Sequence, residues 1–139
     1  VKLLVWIDGG ARGNPGPAGY GVVIRDESGN DLLKHWGFLG EATNNVAEYT
    51  ALIAALDELI ALAPTAVEVR TDSELLQRQV TGIYKVREPH LQQLMKQIKS
   101  RIAQLTRFTI DHVCREENRE ADRLANLAMD TRASGREPV

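Results

Sequence analysis

The stretch that decides the fold is Val1-Lys2-Leu3-Leu4-Val5-Trp6-Ile7-Asp8-Gly9-Gly10-Ala11-Arg12-Gly13-Asn14-Pro15-Gly16-Pro17-Ala18-Gly19-Tyr20-Gly21-Val22-Val23-Ile24. Apolar, β-branched-rich runs flank a glycine and proline cluster, the pattern of two strands joined by a turn-rich connection. Asp8 therefore stands where a buried strand is expected to end. A carboxylate buried without a partner is costly, so Asp8 either caps the turn or waits for a cation. The glycines leave room for backbone N–H groups to approach a ligand.

Working outward, Tyr20 to Arg25 and Leu32 to Leu39 read as two strands around the hairpin composition Asp26-Glu27-Ser28-Gly29-Asn30. Thr43 to Ala63 is rich in Ala, Leu and Ile, lacks internal Gly or Pro, and predicts a long helix stopped by Pro64 and Thr65. Val67 to Thr71 alternates like a strand after a crossover, hence parallel to the first strand. Asp72-Ser73 opens a short helix to about Thr81, and Ile83 to Glu88 is a linker. Pro89 begins a helix to about Leu105, with Leu91, Leu94, Met95, Ile98, Ile102 and Leu105 on one face. Phe108 to Val113 is the fifth strand, and Glu117 to about Thr131 the last helix, with Ala121, Leu124, Ala125 and Ala128 inward. The expected architecture is α/β: a mixed five-stranded sheet, antiparallel in its first three strands and then parallel, with helices on its faces. One domain over residues 1–131 is expected, with 132–139 a tail or the start of a linker.

A chain of 139 residues can bury a full core, and 43% hydrophobic with 26% charged residues is an ordinary globular balance. No apolar run approaches the ~20 residues of a membrane span. The N-terminus has no signal-peptide pattern, so a cytoplasmic protein is expected. Cys114 is alone, which excludes an internal disulfide or a cysteine zinc finger. A net charge of −2 argues against a protein that coats nucleic acid through bulk charge, so any polyanion must be met locally.

Of the 19 acids, four fall at the ends of predicted elements: Asp8, Glu48, Asp72 and Asp122. If the first and fourth strands are parallel neighbours, Asp8 and Asp72 leave the sheet at one edge, where α/β sheets bind ligands. Helix starts can bring Glu48 and Asp122 there. Each has a structural alternative: Glu48 completing a capping box with Asn45, Asp72 as an N-cap, Asp122 serving the helix dipole, Asp8 in a turn. Gathered together, they repel. A pair about 4 Å apart costs on the order of 4 kcal/mol at an effective dielectric near 20, so the cluster calls for cations. Oxygen-only donors favour Mg²⁺, with Mn²⁺ next. His35, His90 and His112 have no metal-binding spacing, and neither a P-loop, a Gly-x-Ser-x-Gly elbow nor His-Glu-x-x-His occurs. Acid-held Mg²⁺ pairs suit in-line phosphoryl displacement.

Asp8-Gly9 with Gly13-Asn14-Pro15-Gly16-Pro17-Ala18-Gly19-Tyr20-Gly21, then Thr43-Asn44-Asn45-x-x-Glu48, Thr71-Asp72-Ser73 and Asn118-x-x-Ala121-Asp122-x-Leu124-Ala125 together resemble type 1 ribonuclease H. The resemblance covers residues 2 to about 130. It implies the ribonuclease H fold and Mg²⁺-dependent cleavage of the RNA strand of RNA/DNA hybrids, leaving 5′-phosphate and 3′-hydroxyl ends. It implies the catalytic and metal-holding set Asp8, Glu48, Asp72 and Asp122, with two Mg²⁺ ions and Mn²⁺ as a substitute, and Glu48 also facing the RNA. Gly9, Gly10, Asn14, Thr43, Asn44 and Asn45 match positions that touch the hybrid. A monomer is expected, with room for a further domain in the native gene.

The sequence departs from the family in three places. Thr81 to Leu91 runs nearly straight into the next helix where well-studied members carry a basic protrusion, so this is a short form, and weaker, more salt-sensitive hybrid binding is expected. Tyr84 in that segment is either a stacking face or, the preferred reading, a core aromatic. Thr43 survives from a DNA-phosphate pocket whose other two places hold Glu41 and Glu88. The loop before the last helix has no histidine: His112 is read as structural, and Arg115 is the substitute that contacts a phosphate. Two other functions fit the same elements: a different nuclease on this fold, or a nucleic-acid binding module without activity.

Overall fold

The computed structural model describes residues 1–138. Its elements run β1 (Lys2–Ala11), β2 (Gly16–Asp26), β3 (Asp31–Ala42), α1 (Asn44–Leu62), β4 (Ala66–Thr71), α2 (Glu74–Val80), α3 (Pro89–Ile102), β5 (Phe108–His112), a 3₁₀ turn (Arg115–Asn118), α4 (Arg119–Thr131) and β6 (Gly135–Glu137). The sheet order is β5-β4-β1-β2-β3-β6. β1, β2, β3 and β6 pair antiparallel, while β1–β4 and β4–β5 are parallel.

Strand alternation sorts the residues onto two faces. Leu3, Val5 and Ile7 of β1, with Val22 and Ile24 of β2, Val67 and Val69 of β4 and Ile110 of β5, turn to one side. There Leu52, Leu56 and Leu59 of α1 meet them, with Leu91, Met95 and Ile98 of α3 behind. Each fully buried leucine there contributes about 1.5–3 kcal/mol of apolar burial. α4 lies on the other face, buried through Ala121, Leu124, Ala125 and Ala128. Its small residues let the helix approach β2 closely. A Cβ on Gly21 would lie 2.2 Å from the Ala121 carbonyl oxygen, and one on Gly19 would lie 2.9 Å from the Ala128 Cβ.

The sheet has six strands rather than five, and the segment expected as a tail, 132–139, is not merely one over its described residues, 132–138; Val139 lies outside the described residues. Gly135–Glu137 pairs with Lys34–Trp36. Three residues carry no readable periodicity. What holds them is the open edge of β3 together with charge: Arg123 Nη2 to Glu137 at 2.9 Å, and Arg136 to Glu58. The domain therefore extends beyond residue 131.

Several boundaries also move. β1 does not end at Ile7; pairing with β2 continues through Asp8↔Gly21 to Ala11↔Ala18. The cap of α1 is Thr43, whose side chain accepts from Val46 N, so Asn45 and Glu48 form no capping box. Ser73, not Asp72, caps α2 by accepting from Leu76 N. Both acids are thereby freed of the structural tasks they could have had. α3 stops at Ile102, before Leu105. Residues 81–88 join α2 to α3 with no inserted helix, as the short form requires. Tyr84 is not a core aromatic: it is 46% exposed, with the Arg78 guanidinium 5.5 Å from its ring centroid.

Candidate active site

The site begins where the parallel ladder stops. β1 and β4 pair from Lys2↔Ala66 to Ile7↔Thr71, after which β4 ends and β1 continues. Asp8 is the first residue without a β4 neighbour, and Asp72 is the first beyond β4, so two acids leave adjacent strands at one level. The Ile7 carbonyl at this step accepts from Asn118 Nδ2 at 2.8 Å. Asn118 is buried, and that bond ties the start of α4, with Asp122 one turn later, to β1. On the other side of the sheet α1 presses onto Gly9, where a Cβ would stand 2.4 Å from the Ala47 oxygen and 2.6 Å from the Glu48 nitrogen. Only glycine permits that approach, and it delivers Glu48 to the same edge.

Asp8, Glu48, Asp72 and Asp122 consequently line one open pocket of about 780 Å³, with Gly9, Gly10, Asn44 and Arg115 also in its wall. Burial is the main force that pushes the Asp8 carboxyl up to about 9, and the charges of Asp72 and Asp122, both within hydrogen-bonding reach, push the same way. Burial likewise lifts Glu48 to about 7, with Asp72 adding to the shift and a hydrogen bond from Ser73 opposing it. The side chains form a bowl rather than a cage. Among the described residues no three His, Cys, Asp or Glu stand close enough to enclose an ion unaided.

The other expected contact residues divide. Asn44 Oδ1 accepts from Ala11 N at 2.7 Å, and Asn14 Oδ1 accepts from Asn44 N at 3.1 Å. These bonds hold the glycine loop against the start of α1 through the amide oxygens. Thr43 is occupied as a cap, and neither it, Asn14 nor Asn45 lines the pocket. Glu41 and Glu88 are exposed, and Glu88 precedes Pro89 without a capping bond. His112 departs from its structural reading: it is exposed at the end of β5 and lines the pocket beside Cys114 and Arg115. Sequence reasoning missed Asn118 as a tie and Asn126 altogether, and it reads Arg12 only as a basic position of the kind usually found as solvated surface charge, whereas Arg12 bonds Asn126 and Asp130. The spacing Asn118-x-x-Ala121-Asp122 was the available signal for the first.

A family model described as reverse transcriptase-like matches residues 7–128. The bifunctional protein Rv2228c of Mycobacterium tuberculosis (strain H37Rv) is 44% identical over 134 residues, covering 96% of this chain and 37% of that protein. The chain thus spans little more than a third of that relative's length. Ribonuclease H of Paracoccus denitrificans is 33% identical over 144 residues, covering 91% of this chain and 92% of that protein. Among solved structures, LC11-RNase H1 in complex with an RNA/DNA hybrid superposes with a TM-score of 0.89 at 47% identity, covering 94% of this chain and 98% of that one. Sheet order, carboxylate convergence and these likenesses agree, and the chain belongs to the type 1 ribonuclease H family.

Proposed function

We propose that the protein is an endoribonuclease that hydrolyses the RNA strand of RNA/DNA hybrids, leaving 5′-phosphate and 3′-hydroxyl ends. The observation that carries the reading is the convergence of Asp8, Glu48, Asp72 and Asp122 from four separate stretches of the chain in one open pocket beside the glycine loop. The donor set fits divalent magnesium. It is made of carboxylate oxygens, and the upward push on Asp8 from Asp72 and Asp122 is relieved only by a proton or a cation. Asp8, Glu48, Asp72 and Asp122 would hold two Mg²⁺ ions, with Mn²⁺ as a substitute. Bound there, the ions supply an activated water at neutral pH and neutralise the charge that develops on the phosphate and leaving oxygen.

The chain's own residues select and place the substrate. With their oxygens engaged, Asn14 and Asn44 have side-chain NH₂ groups without a protein acceptor among the described residues, positioned for the sugar and phosphate groups of a hybrid. Such contacts read 2′-hydroxyls and the groove without reading bases. A Cβ on Gly10 would meet only Asn44 Oδ1, at 3.9 Å, so a strand can lie against that backbone. Glu48 accepts from the RNA 2′-hydroxyl, and Arg115 at the rim meets a phosphate. With Glu41 and Glu88 in place of a phosphate pocket, the DNA strand is held loosely.

Incubation of the protein with end-labelled RNA/DNA hybrid, double-stranded RNA and double-stranded DNA, each with Mg²⁺ or with chelator, tests the reading. Cleavage confined to the RNA of the hybrid, abolished by chelator and by Asp8→Asn, is expected. Cleavage of either other duplex at a comparable rate, or an active Asp8→Asn protein, would overturn it.

A further inference from the structure

Arg12 sits in the turn between β1 and β2 and reaches across to α4. Its Nη2 donates to Asn126 Oδ1 at 3.1 Å, and its Nη1 pairs with Asp130 at 2.5 Å. Asn126 in turn directs its Nδ2 at Asp122, 3.0 Å from the main-chain oxygen and 3.4 Å from Oδ1 of the carboxylate. A guanidinium has only donors, whereas an amide has one end of each kind. Arg12 therefore decides which way Asn126 faces. Its N–H groups claim the amide oxygen, and the amide NH₂ is left for Asp122. With the amide turned over, NH₂ would face guanidinium and oxygen would face carboxylate, two repulsive contacts in place of two attractive ones.

We infer that Arg12, through Asn126, is a positioning residue that fixes the Asp122 carboxylate in the orientation needed to hold a divalent ion. The glycine loop then spans both helices that carry acids of the bowl: it is tied to α1 through Asn44 and to α4 through Asn126. The inference rests on the metal-dependent reading above, but it concerns binding of the ion rather than cleavage. It also has a sign of its own. Removing a cation beside four acids favours divalent binding by charge alone, whereas loss of the amide orientation disfavours it.

The test uses Mn²⁺ alone as the probe, with the free ion followed by its electron paramagnetic resonance signal as it titrates the whole protein without nucleic acid. Arg12→Met is expected to weaken binding about tenfold, at the lower end of what loss of such a supporting contact costs. Arg12→Lys, also donor-only, restores affinity to within about twofold of the original. Asp130→Asn, which removes the ion pair and spares the amide, leaves it unchanged. Asn126→Leu, which keeps the cation, weakens binding at least as much as Arg12→Met, and the double variant is no weaker than Asn126→Leu, because the two act in one chain of contacts. Equal or tighter binding by Arg12→Met, or an Arg12→Lys protein as weak as Arg12→Met, overturns the inference while leaving the metal reading intact. Failure of the unsubstituted protein to bind Mn²⁺ removes both.

Discussion

Replacing Asp8 with Asn is expected to stabilise the metal-free protein while destroying its activity, and the size and pH dependence of the gain follow from the bowl. The Asp8 carboxyl rises from 3.8 to about 9 because it is buried and faces Asp72 and Asp122. A carboxyl whose pKa is raised by folding favours the fold fully below its unfolded value, and that advantage is lost as pH climbs toward the folded value. Between 3.8 and pH 7.5 the full linkage would reach about 5 kcal/mol at 1.36 kcal/mol per pH unit. Water in the open pocket relaxes the charges, so about 2 kcal/mol is the realistic gain. For a domain of this size that is a rise of about 5–10 °C in Tm. Thermal unfolding in chelator at pH 7.5 and pH 5 measures it, with the gain at pH 5 about a third as large because little of the linkage has yet accumulated. Adding Mg²⁺ should raise the Tm of the unsubstituted protein and close most of the gap. An Asn variant no more stable at pH 7.5, or a gain that does not shrink at pH 5, would refute the idea that these acids strain the empty bowl.

Gly9→Ala is expected to lose more than about 2 kcal/mol and at least about tenfold in cleavage rate, because its Cβ would stand 2.4 Å from the Ala47 oxygen and push α1, with Glu48, away. Gly10→Ala should keep its Tm and raise KM for the hybrid, since its Cβ would meet only Asn44 Oδ1, at 3.9 Å, on the side where the proposed substrate would lie. Asn118→Ala leaves the Ile7 carbonyl without its donor, and urea unfolding should show a loss of about 1–3 kcal/mol. Glu120 is held down at about 2 by hydrogen bonds from Arg123 and Lys34. Its depressed pKa stabilises the fold above 4.5 and the benefit fades as pH falls toward 2, so Glu120→Gln should flatten the acid limb of stability by about 1 kcal/mol, discounted because its side chain is 38% exposed.

Most of the fold was legible because its long elements carry strong patterns. α1 follows from an uninterrupted Ala, Leu and Ile run, and β4 from five alternating residues after a helix stop. What escaped was set by contacts distant in sequence. β6 exists because β3 offers an open edge and because Arg123 and Glu58 wait for Glu137 and Arg136. His112 reads as structural from its place in a strand and Tyr84 as a core aromatic, yet both are exposed: a five-residue edge strand covers one flank only, and the 81–88 linker lies outside the core. The Arg12 and Asn126 contact joins residues 114 apart, and nothing local in either segment announces it.

The four acids were legible for a different reason, and it bears on how the site is made. Asp8 was placed at a strand end, and in fact β1 runs on to Ala11. What ends at Ile7↔Thr71 is the parallel pairing with β4, and that step, not the end of β1, opens the bowl. Continued pairing with β2 keeps Asp8 on a rigid strand, with its partner Gly21 clearing the face on which α4 must lie. If Asp8 were on a free loop, its repulsion from Asp72 and Asp122 would be relieved by movement, and no cation would be required. Because the ladder holds it in place, the repulsion persists until a proton or a metal ion enters. The rigidity that makes the metal-free pocket costly is therefore what would give it the affinity for a divalent ion proposed above.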